Sequence, residues 1–340
     1  MTDAPSGGRV LVVGGTGFVG RRLVPVLIRE NRSVRVLARR PEAARRLLPP
    51  STEVVPGDLL DPASLGEALE GVEVVYYLVH SMARRDAGED FAAVDRRAAA
   101  NLVEAASRSG VRRIIYVGGL GGDAPVRSRH LESRREVGGI LAGGRPKLTT
   151  FRAAIIVGAG GSSFEMVVQL VEHLPLLLCP SWVRTRCQPI DIRDLVEYLA
   201  GCLEVPETIG GSFDVGGPEV LPYYAFLNRI GARLGRLSRI VVLPVLTPRL
   251  SAHWVGLITD VPSPVARDLV EGMRTEVVCR ENRIRELLPV PLHSLESALD
   301  DAFSGRPLRP LWIRRWGALI LGTRSAERAV LDVPGRLRHR

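Results

Sequence analysis

The chain has 340 residues, of which 46% are hydrophobic and 24% are charged. This composition is ordinary for a soluble globular protein and excludes a disordered chain, and the length allows a large core in one or two domains. Basic residues exceed acidic ones, which gives a net charge of +9. Because Lys147 is the only lysine, we interpret the arginine excess as scattered solvated charge rather than a nucleic-acid surface. The alternative is an anionic partner: a cofactor phosphate, an acidic substrate or a membrane.

The four cysteines and six histidines show no metal-ligand spacing, so we expect reduced thiols and no metal site. The first residues lack a basic region followed by an apolar run, which predicts no signal peptide. Residues 240–258 are apolar, but Pro244, Pro248 and Arg249 interrupt them, and they fall short of a spanning helix. We therefore expect a cytoplasmic protein. Its oligomeric state does not follow from the sequence.

Short β-branched runs alternate with helical patterns over the first half of the chain. The predicted strands cover residues 9–15, 33–39, 52–58, 72–79, 111–119 and 147–158. The predicted helices cover residues 18–30, 41–48, 62–70 and 88–109, with one more around 128–139. Pro41 and Pro62 are typical of a first helical turn. The alternation predicts an α/β fold with a doubly wound parallel sheet of the Rossmann type.

After residue 158 the pattern loosens. Helices are predicted near 164–174, 191–203, 223–234 and 264–273, and short strands near 187–190, 212–217 and 276–279. We interpret this part as a smaller, interleaved substrate-side region. The predicted organisation is therefore a Rossmann domain over 1–158 whose sheet is completed by later segments, a substrate-side region over 159–305, and a basic tail over 306–340. The tail segment "PLWIRRWGALILG" suits a membrane interface as well as burial.

The stretch "GGTGFVG" lies between the first strand and the first helix. It places Gly14, Gly17 and Gly20 where a dinucleotide site needs a tight turn, a close approach to a pyrophosphate, and close helix–strand packing. Thr16, Phe18 and Val19 lie within the same predicted phosphate cradle. A glycine-rich turn without a ligand is the alternative.

The second strand ends in "VLARR", without an acidic residue to accept the ribose 2′-hydroxyl of NAD. Arg39 and Arg40 stand where a 2′-phosphate would be held, so the sequence favours NADP over NAD. Asp58, followed by Leu59, comes after the third strand and is a candidate acceptor for the adenine amino group. A turn and N-cap role before Pro62 is an equal alternative for Asp58.

Five motifs in this order resemble the short-chain dehydrogenase/reductase superfamily, particularly its atypical branch with NmrA-like and complex-I-subunit-like members. They are "GGTGFVG", "GDLLDPASLGEALEGVEVVYYLVHSM", "NLVEAASRSGVRRIIYVGGLG", "FRAAIIVGAG" and "QPIDIRDLVEYL". The resemblance implies a Rossmann fold binding NAD(P), with Leu78 and Val79 lining the cofactor and a substrate cleft at the carboxyl ends of the strands. Members of this branch include reductases, and also regulators and subunits that keep NADPH without turnover.

The chemistry of this superfamily usually uses a serine, a tyrosine and a lysine four residues after the tyrosine. No Tyr-x-x-x-Lys occurs here, and Gly118 and Gly119 stand at the serine's place. His130 and Arg134 share a helix face one turn apart, as tyrosine and lysine would. Histidine can donate a proton near neutral pH, although a neighbouring arginine lowers its pKa. A solvated helix position is the alternative for His130.

His80 follows the fourth strand and is a second candidate, with a hydrogen-bonded structural role as its alternative. The first hypothesis is an NADP(H)-dependent oxidoreductase that acts on a small or apolar carbonyl or enone, with His80, His130 and Arg134 as the catalytic candidates. The second is a protein that binds NADP(H) without turnover, as a sensor or scaffold. The third is peripheral membrane contact through the tail. Nucleic acid is not an expected partner.

Overall fold

The computed structural model describes residues 8–80, 90–121, 129–173, 176–179, 181–235, 239–242 and 272–306. Residues up to Ala302 belong to one compact unit, and a second unit begins at Phe303. The predicted tail beyond residue 306 lies outside the described residues, as do Ser128 and most of the helix predicted over 264–273. The predicted domain boundaries remain predictions.

The described residues form thirteen strands. They are β1 (Arg9–Val13), β2 (Val34–Ala38), β3 (Glu53–Pro56), β4 (Val72–Tyr77), β5 (Arg113–Gly119), β6 (Lys147–Ala153), β7 (Ile156–Val157), β8 (Leu176–Cys179), β9 (Arg186–Cys187), β10 (Ile190–Asp191), β11 (Ser212–Val215), β12 (Leu221–Pro222) and β13 (Arg239–Val242). Seven of them form one sheet in the order β11-β6-β5-β4-β1-β2-β3. Every pairing in this sheet is parallel.

The described helices are α1 (Gly20–Arg29), α2 (Pro41–Leu47), α3 (Leu65–Leu69), α4 (Phe91–Arg108), α5 (Arg129–Ala142), α6 (Ser162–His173), α7 (Ile192–Gly201), α8 (Tyr223–Arg233), α9 (Arg283–Leu287) and α10 (Leu295–Phe303). Leu23 of α1 and Leu195 of α7 pack in a core on one face of the sheet. Leu102 of α4 and Val137 of α5 pack in the core on the other face. The predicted doubly wound parallel sheet is confirmed. Since its strand order reverses between β1 and β4, a crevice is expected at their carboxyl ends.

The strand predicted over 147–158 is wrong in one respect, because the chain breaks it in two. β6 ends at Ala153, opposite Val215 of β11. After Val215 the chain leaves the sheet, and Gly217 donates a backbone hydrogen bond to Pro189. β7 then pairs with β10 instead of continuing the large sheet.

Two further corrections concern the second half of the chain. The strand predicted over 187–190 is two separate strands, because Gln188 and Pro189 lie between β9 and β10 and proline has no N–H for a ladder. The strand predicted over 276–279 is reduced to a single bridge between Val277 and Cys187. The helices predicted from residues 164, 191 and 223 are confirmed as α6, α7 and α8. Within the described ranges, no helix is both long and apolar enough to cross a membrane.

Candidate functional site

The turn after β1 has the geometry of a phosphate cradle. Gly14 has a φ of +88°, and a Cβ placed there would lie 3.0 Å from the backbone carbonyl of Leu78. The Gly17 amide donates a hydrogen bond of 3.0 Å to the Gly14 oxygen. A Cβ on Gly20 would overlap that same oxygen. The three predicted glycines therefore meet around one backbone turn, which has no room for side chains at Gly14 or Gly20.

The amino end of α1 is open to an anion. Its first turn contains no acidic residue, and no side chain caps it. Thr16 and Gly17 are exposed there. Phe18 and Val19 instead pack against the core, and the Phe18 ring would collide with a Cβ on Gly161. Uncapped amides at a helix start attract phosphate, so these residues fit the pyrophosphate of a dinucleotide.

A cavity of about 530 Å³ extends from this turn across the carboxyl ends of β1, β2 and β4. Among the candidates it is lined by Gly14, Thr16, Arg39, Arg40, Asp58, Leu59, Val79 and His80, and it also reaches Val94, Asp95 and Ala98 of α4. The resemblance implied that Leu78 and Val79 line the cofactor, and of these two residues only Val79 lines the cavity. Leu78 supports the floor instead, since its amide donates to the Val13 carbonyl over 3.0 Å.

Two arginines lie at the rim of this cavity. Arg39 and Arg40 are both exposed and both line it. Within the described part of the chain, neither side chain forms a hydrogen bond or an ion pair. The Ala38 carbonyl, at the end of β2, accepts a hydrogen bond of 3.2 Å from the Gly57 amide. Two cations without carboxylate partners beside a dinucleotide-sized cavity can hold a phosphate group.

The turn role and the N-cap role that were both considered for Asp58 belong to two different residues, Asp58 and Asp61. Asp58 Oδ1 accepts from the Leu60 amide over 3.0 Å, which makes an Asx turn. The N-cap of the short helix beginning at Pro62 is Asp61, whose side chain accepts from the Ala63 amide. The N-cap role considered for Asp58 therefore falls to Asp61, while Asp58 lines the cavity.

The three catalytic candidates lie near one another, beside the carboxyl ends of β4 and β5. His80 hydrogen-bonds to the Val117 carbonyl, and its ring centroid lies 6.2 Å from that of Tyr116. The charge of Arg134 acts on both His80 and His130. His80 lines the cavity, whereas His130 and Arg134 do not.

Both imidazoles are neutral at physiological pH. Burial, followed by the nearby Arg134 charge, lowers the pKa of His130 to about 2. The same two causes, in the same order, hold the pKa of His80 well below its usual value, and the proximity of His130 adds to them. Neither ring carries a proton to donate as imidazolium near pH 7, so an acid role at the substrate oxygen is disfavoured for both.

Gly119 accounts for the missing serine in steric terms. A Cβ on Gly119 would lie 2.8 Å from Leu131 Cδ2 and 3.4 Å from Arg134 Cδ. The absence of a side chain at the end of β5 therefore makes room for Leu131, and the stem of Arg134 packs beside it at contact distance. The glycine at the serine's place is thus packed against the helix that carries Arg134.

The sequence did not point to three polar residues of this region. Asp95 of α4 is 5% exposed and lies four residues after Phe91 and three before Ala98, which packs in the core. Tyr77 and Tyr116 are buried with their rings 6.0 Å apart. An acidic residue at helical spacing from the apolar residues Phe91 and Ala98 was the available signal for Asp95.

Neither phenol is an activated acid. The Tyr116 hydroxyl donates to the Arg134 carbonyl over 2.9 Å, whereas the Tyr77 hydroxyl is buried without a described partner. Burial raises the pKa of both tyrosines. No group of three or more His, Cys, Asp or Glu side chains suited to a metal occurs among the described residues. The described polar groups of this region are therefore two neutral imidazoles, two neutral phenols, the Arg134 guanidinium and the Asp95 carboxylate.

The parallel sheet, the glycine turn at an uncapped helix and the cavity at the switch point together define a dinucleotide-binding Rossmann domain. Residues 14–147 match the family model described as NAD(P)H-binding. This part of the chain is thus similar to an NAD(P)H-binding family, and the chain is 24% identical over 293 residues to NADH dehydrogenase [ubiquinone] 1 alpha subcomplex subunit 9 of Arabidopsis thaliana, covering 81% of this chain and 71% of that protein.

The curated relatives include reductases and an assembly factor. The chain is 27% identical over 319 residues to (4-alkanoyl-5-oxo-2,5-dihydrofuran-3-yl)methyl phosphate reductase of Streptomyces griseus, covering 91% of this chain and 96% of that protein. It is 30% identical over 205 residues to ceramide reductase of Caulobacter vibrioides, covering 60% and 63%. It is 23% identical over 247 residues to photosystem II assembly factor Ycf39 of Trieres chinensis, covering 73% and 76%.

Among solved structures, the fold resembles the NADPH complex of a quinone oxidoreductase from Escherichia coli. The TM-score is 0.70 at 17% identity, with 86% of this chain and 99% of that chain covered. At this level of identity the similarity establishes the fold alone.

Proposed function

We propose that the protein is an NADP(H)-dependent reductase of a small or apolar carbonyl or enone substrate. The observation that carries this proposal is the pair Arg39 and Arg40. Both are exposed, both line the cavity that begins at the glycine turn, and neither has a described partner. A 2′-phosphate would supply the missing anion, whereas the hydroxyl of NAD would leave both guanidinium groups without one.

The relatives support a reductase. Two are named as reductases, and the match to the Streptomyces griseus protein extends over nearly the whole of both chains. The NADPH bound in the quinone oxidoreductase agrees with the preference argued from Arg39 and Arg40. NADPH would supply a hydride at the substrate carbon, and the residues at that end of the crevice would hold the substrate oxygen.

An enone suits these residues better than a simple ketone. Reduction of a ketone leaves an alkoxide, which needs a proton at oxygen, and no described group there is an acid near pH 7. Hydride addition to the β-carbon of an enone moves the electron pair of the double bond onto oxygen as an enolate. Solvent can then protonate the α-carbon. The site must stabilise negative charge at oxygen in this reaction, and a guanidinium does so without giving up a proton.

The test is calorimetric titration of the cofactor-free protein with NADPH and NADH. We expect NADPH to bind at least tenfold more tightly, a difference of about 1.4 kcal/mol. The double variant Arg39→Gln/Arg40→Gln should lose this difference and retain NADH binding. Arg46→Gln is the matched control, because Arg46 is also exposed on α2 but does not line the cavity. Equal binding of the two nucleotides by the wild type would contradict the NADP assignment.

The second candidate is a protein that binds NADP(H) without turnover. The missing Ser-Tyr-Lys set and the neutral state of His80 and His130 favour it, and one relative is named as an assembly factor. The two candidate functions differ in whether NADPH is oxidised, and the absorbance of NADPH measures this oxidation. A reductase oxidises NADPH faster when enones are added, whereas a sensor binds NADPH and shows no rate that depends on a substrate.

A further inference from the structure

One half-buried arginine, Arg134, has no hydrogen-bonded or ion-paired anion among the described residues, and its Nε is buried. Three arginines among the described residues, Arg32, Arg35 and Arg134, have a buried Nε without a hydrogen-bond partner. Arg32 is neutralised through its terminal nitrogen, which forms an ion pair with Glu204. Arg35 likewise bonds to Glu53 over 2.8 Å. For the Arg134 guanidinium, the described part of the chain offers neither a carboxylate nor a carbonyl acceptor.

The comparison with Arg113 shows what a structural arginine looks like in this fold. Arg113 is 5% exposed, and all three of its nitrogens donate. The acceptors are Thr149 Oγ1 at 2.9 Å, the Cys202 carbonyl at 2.8 Å and Thr208 Oγ1 at 2.8 Å. Arg134 has no such set, because its Nε is buried without an acceptor, and burial also lowers its pKa. A buried Nε–H group without an acceptor is destabilising unless a ligand supplies one.

The surroundings of Arg134 hold the side chain in place without neutralising it. Its stem packs over Gly119, and its backbone carbonyl accepts from Tyr116. His80 and His130 beside it are neutral. Asp95 acts on Arg134 through charge at a distance, not through a hydrogen bond. A fixed cation beside two neutral rings is arranged to receive an anionic oxygen.

We propose that Arg134 binds an anionic oxygen of the substrate. The reacting carbonyl group of that substrate is either conjugated to the anion or itself becomes the anion. The anion is either permanent, as in a carboxylate or phosphate, or formed during reduction, as in an enolate. This inference rests on the proposed function. It deepens that function by assigning the oxygen of the substrate, rather than the ribose of the cofactor, to Arg134.

The first experiment needs no cofactor. We expect Arg134→Met to raise the Tm of the cofactor-free protein, since methionine keeps the packing over Gly119 and removes a buried donor that has no acceptor. Arg135→Met, on the exposed side of the same helix, should leave the Tm unchanged. Arg113→Met should lower it. If Arg134→Met lowers the Tm as Arg113→Met does, Arg134 is a structural residue and the proposal is overturned.

The second experiment titrates the NADP⁺-saturated protein with three probes. Cinnamate carries a permanent carboxylate, 4-nitrophenolate resembles an enolate, and cinnamyl alcohol is the neutral control. We expect at least one anion to lose tenfold or more of its affinity in Arg134→Met and none in Arg135→Met. Binding of cinnamate that depends on Arg134 identifies a permanent anion. Dependence for the phenolate alone identifies an anion formed during the reaction.

If no anion binds in a manner that depends on Arg134, the proposal is overturned. This failure is separate from failure of the proposed function, because the NADPH titration of the wild type tests the cofactor independently. A protein that binds NADPH but shows neither the rise in Tm nor anion binding at Arg134 would remain a candidate reductase whose substrate oxygen lies elsewhere.

Discussion

The hydroxyl of Tyr116, on β5, donates a hydrogen bond of 2.9 Å to the backbone carbonyl of Arg134, on α5. This bond fixes the helix that carries two of the three catalytic candidates against the strand that ends at the missing serine's place. The ring of Tyr116 also lies beside His80, with centroids 6.2 Å apart. Tyr116 therefore supports the candidate site from beneath, although its own hydroxyl is already engaged.

The two buried tyrosines should respond in opposite ways to loss of their hydroxyl groups. Tyr116→Phe removes a satisfied hydrogen bond and should lower the free energy of unfolding by about 0.5–1.5 kcal/mol. Tyr77→Phe is the matched control, because the Tyr77 hydroxyl is buried without a described partner, and it should be neutral or stabilising. Urea denaturation measures both. Equal losses in the two variants would show that the hydrogen bond to Arg134 contributes nothing specific.

Gly14→Ala should abolish cofactor binding as well as reduce stability. The residue has a φ of +88°, and its new Cβ would lie 3.0 Å from the Leu78 carbonyl and from Val79 Cγ1. Gly110→Ala is the control, because Gly110 has a φ of +77° and no atom within 4 Å of an added Cβ. Both variants should lose about 1–2 kcal/mol of stability from the left-handed backbone, and only Gly14→Ala should lose NADPH affinity in calorimetry.

The stability of the protein should fall as the pH drops below the ordinary histidine range, partly through His130. Its folded pKa of about 2 lies below the unfolded value of about 6.5. At pH values between the two, the unfolded chain binds a proton that the folded protein does not. The stabilisation is thus fully present above about pH 6.5 and decreases as the pH falls toward the folded pKa.

His130→Gln should reduce this dependence. Urea denaturation at about pH 7.5 and about pH 5 gives the free energy of unfolding for each protein, and the difference between the two pH values should be smaller in the variant. His80, whose pKa is also lowered by burial and by Arg134, accounts for part of what remains. An unchanged difference would mean that His130 is solvated in the folded protein.

Gly119→Ser restores the usual residue at the end of β5 and should be harmful. The added Cβ would lie 2.8 Å from Leu131 Cδ2, so we expect a loss of about 1–3 kcal/mol from overpacking. Gly139→Ser on α5 is the control, because an added Cβ there meets nothing within 4 Å. Thermal denaturation compares the two. A stable Gly119→Ser protein that reduces ketones faster would show that the serine's place is vacant rather than filled.

The large sheet could be predicted from the sequence because each of its strands is recognisable from its own residues. Each strand of the first half is a continuous β-branched run, and parallel strands buried on both faces read this way without knowledge of their neighbours. The two-residue strands β7 and β10 could not be predicted, since each exists only through its pairing with the other.

The parts of the candidate site in which a backbone conformation requires a particular residue type could be predicted from the sequence. The parts in which tertiary contacts determine the role of a residue could not. The glycine turn follows from spacing alone. By contrast, the sequence predicted that Arg134 stands at the position of the usual lysine, but it could not show that the guanidinium lacks a described acceptor. The N-cap role considered for Asp58 belongs to Asp61, which directly precedes Pro62.

The edge of the sheet imposes an order on folding. β6 is hydrogen-bonded to β11, which occurs much later in the chain, and Arg152 and Asp214 on these strands form an ion pair of 2.6 Å. A chain emerging from the ribosome therefore presents the open edge of β6 until residue 215 has followed. During that interval the edge can pair with another nascent chain. Fragments that stop at residue 158 would keep the edge open permanently, so expression of the cofactor domain alone should yield aggregates unless β11 is supplied.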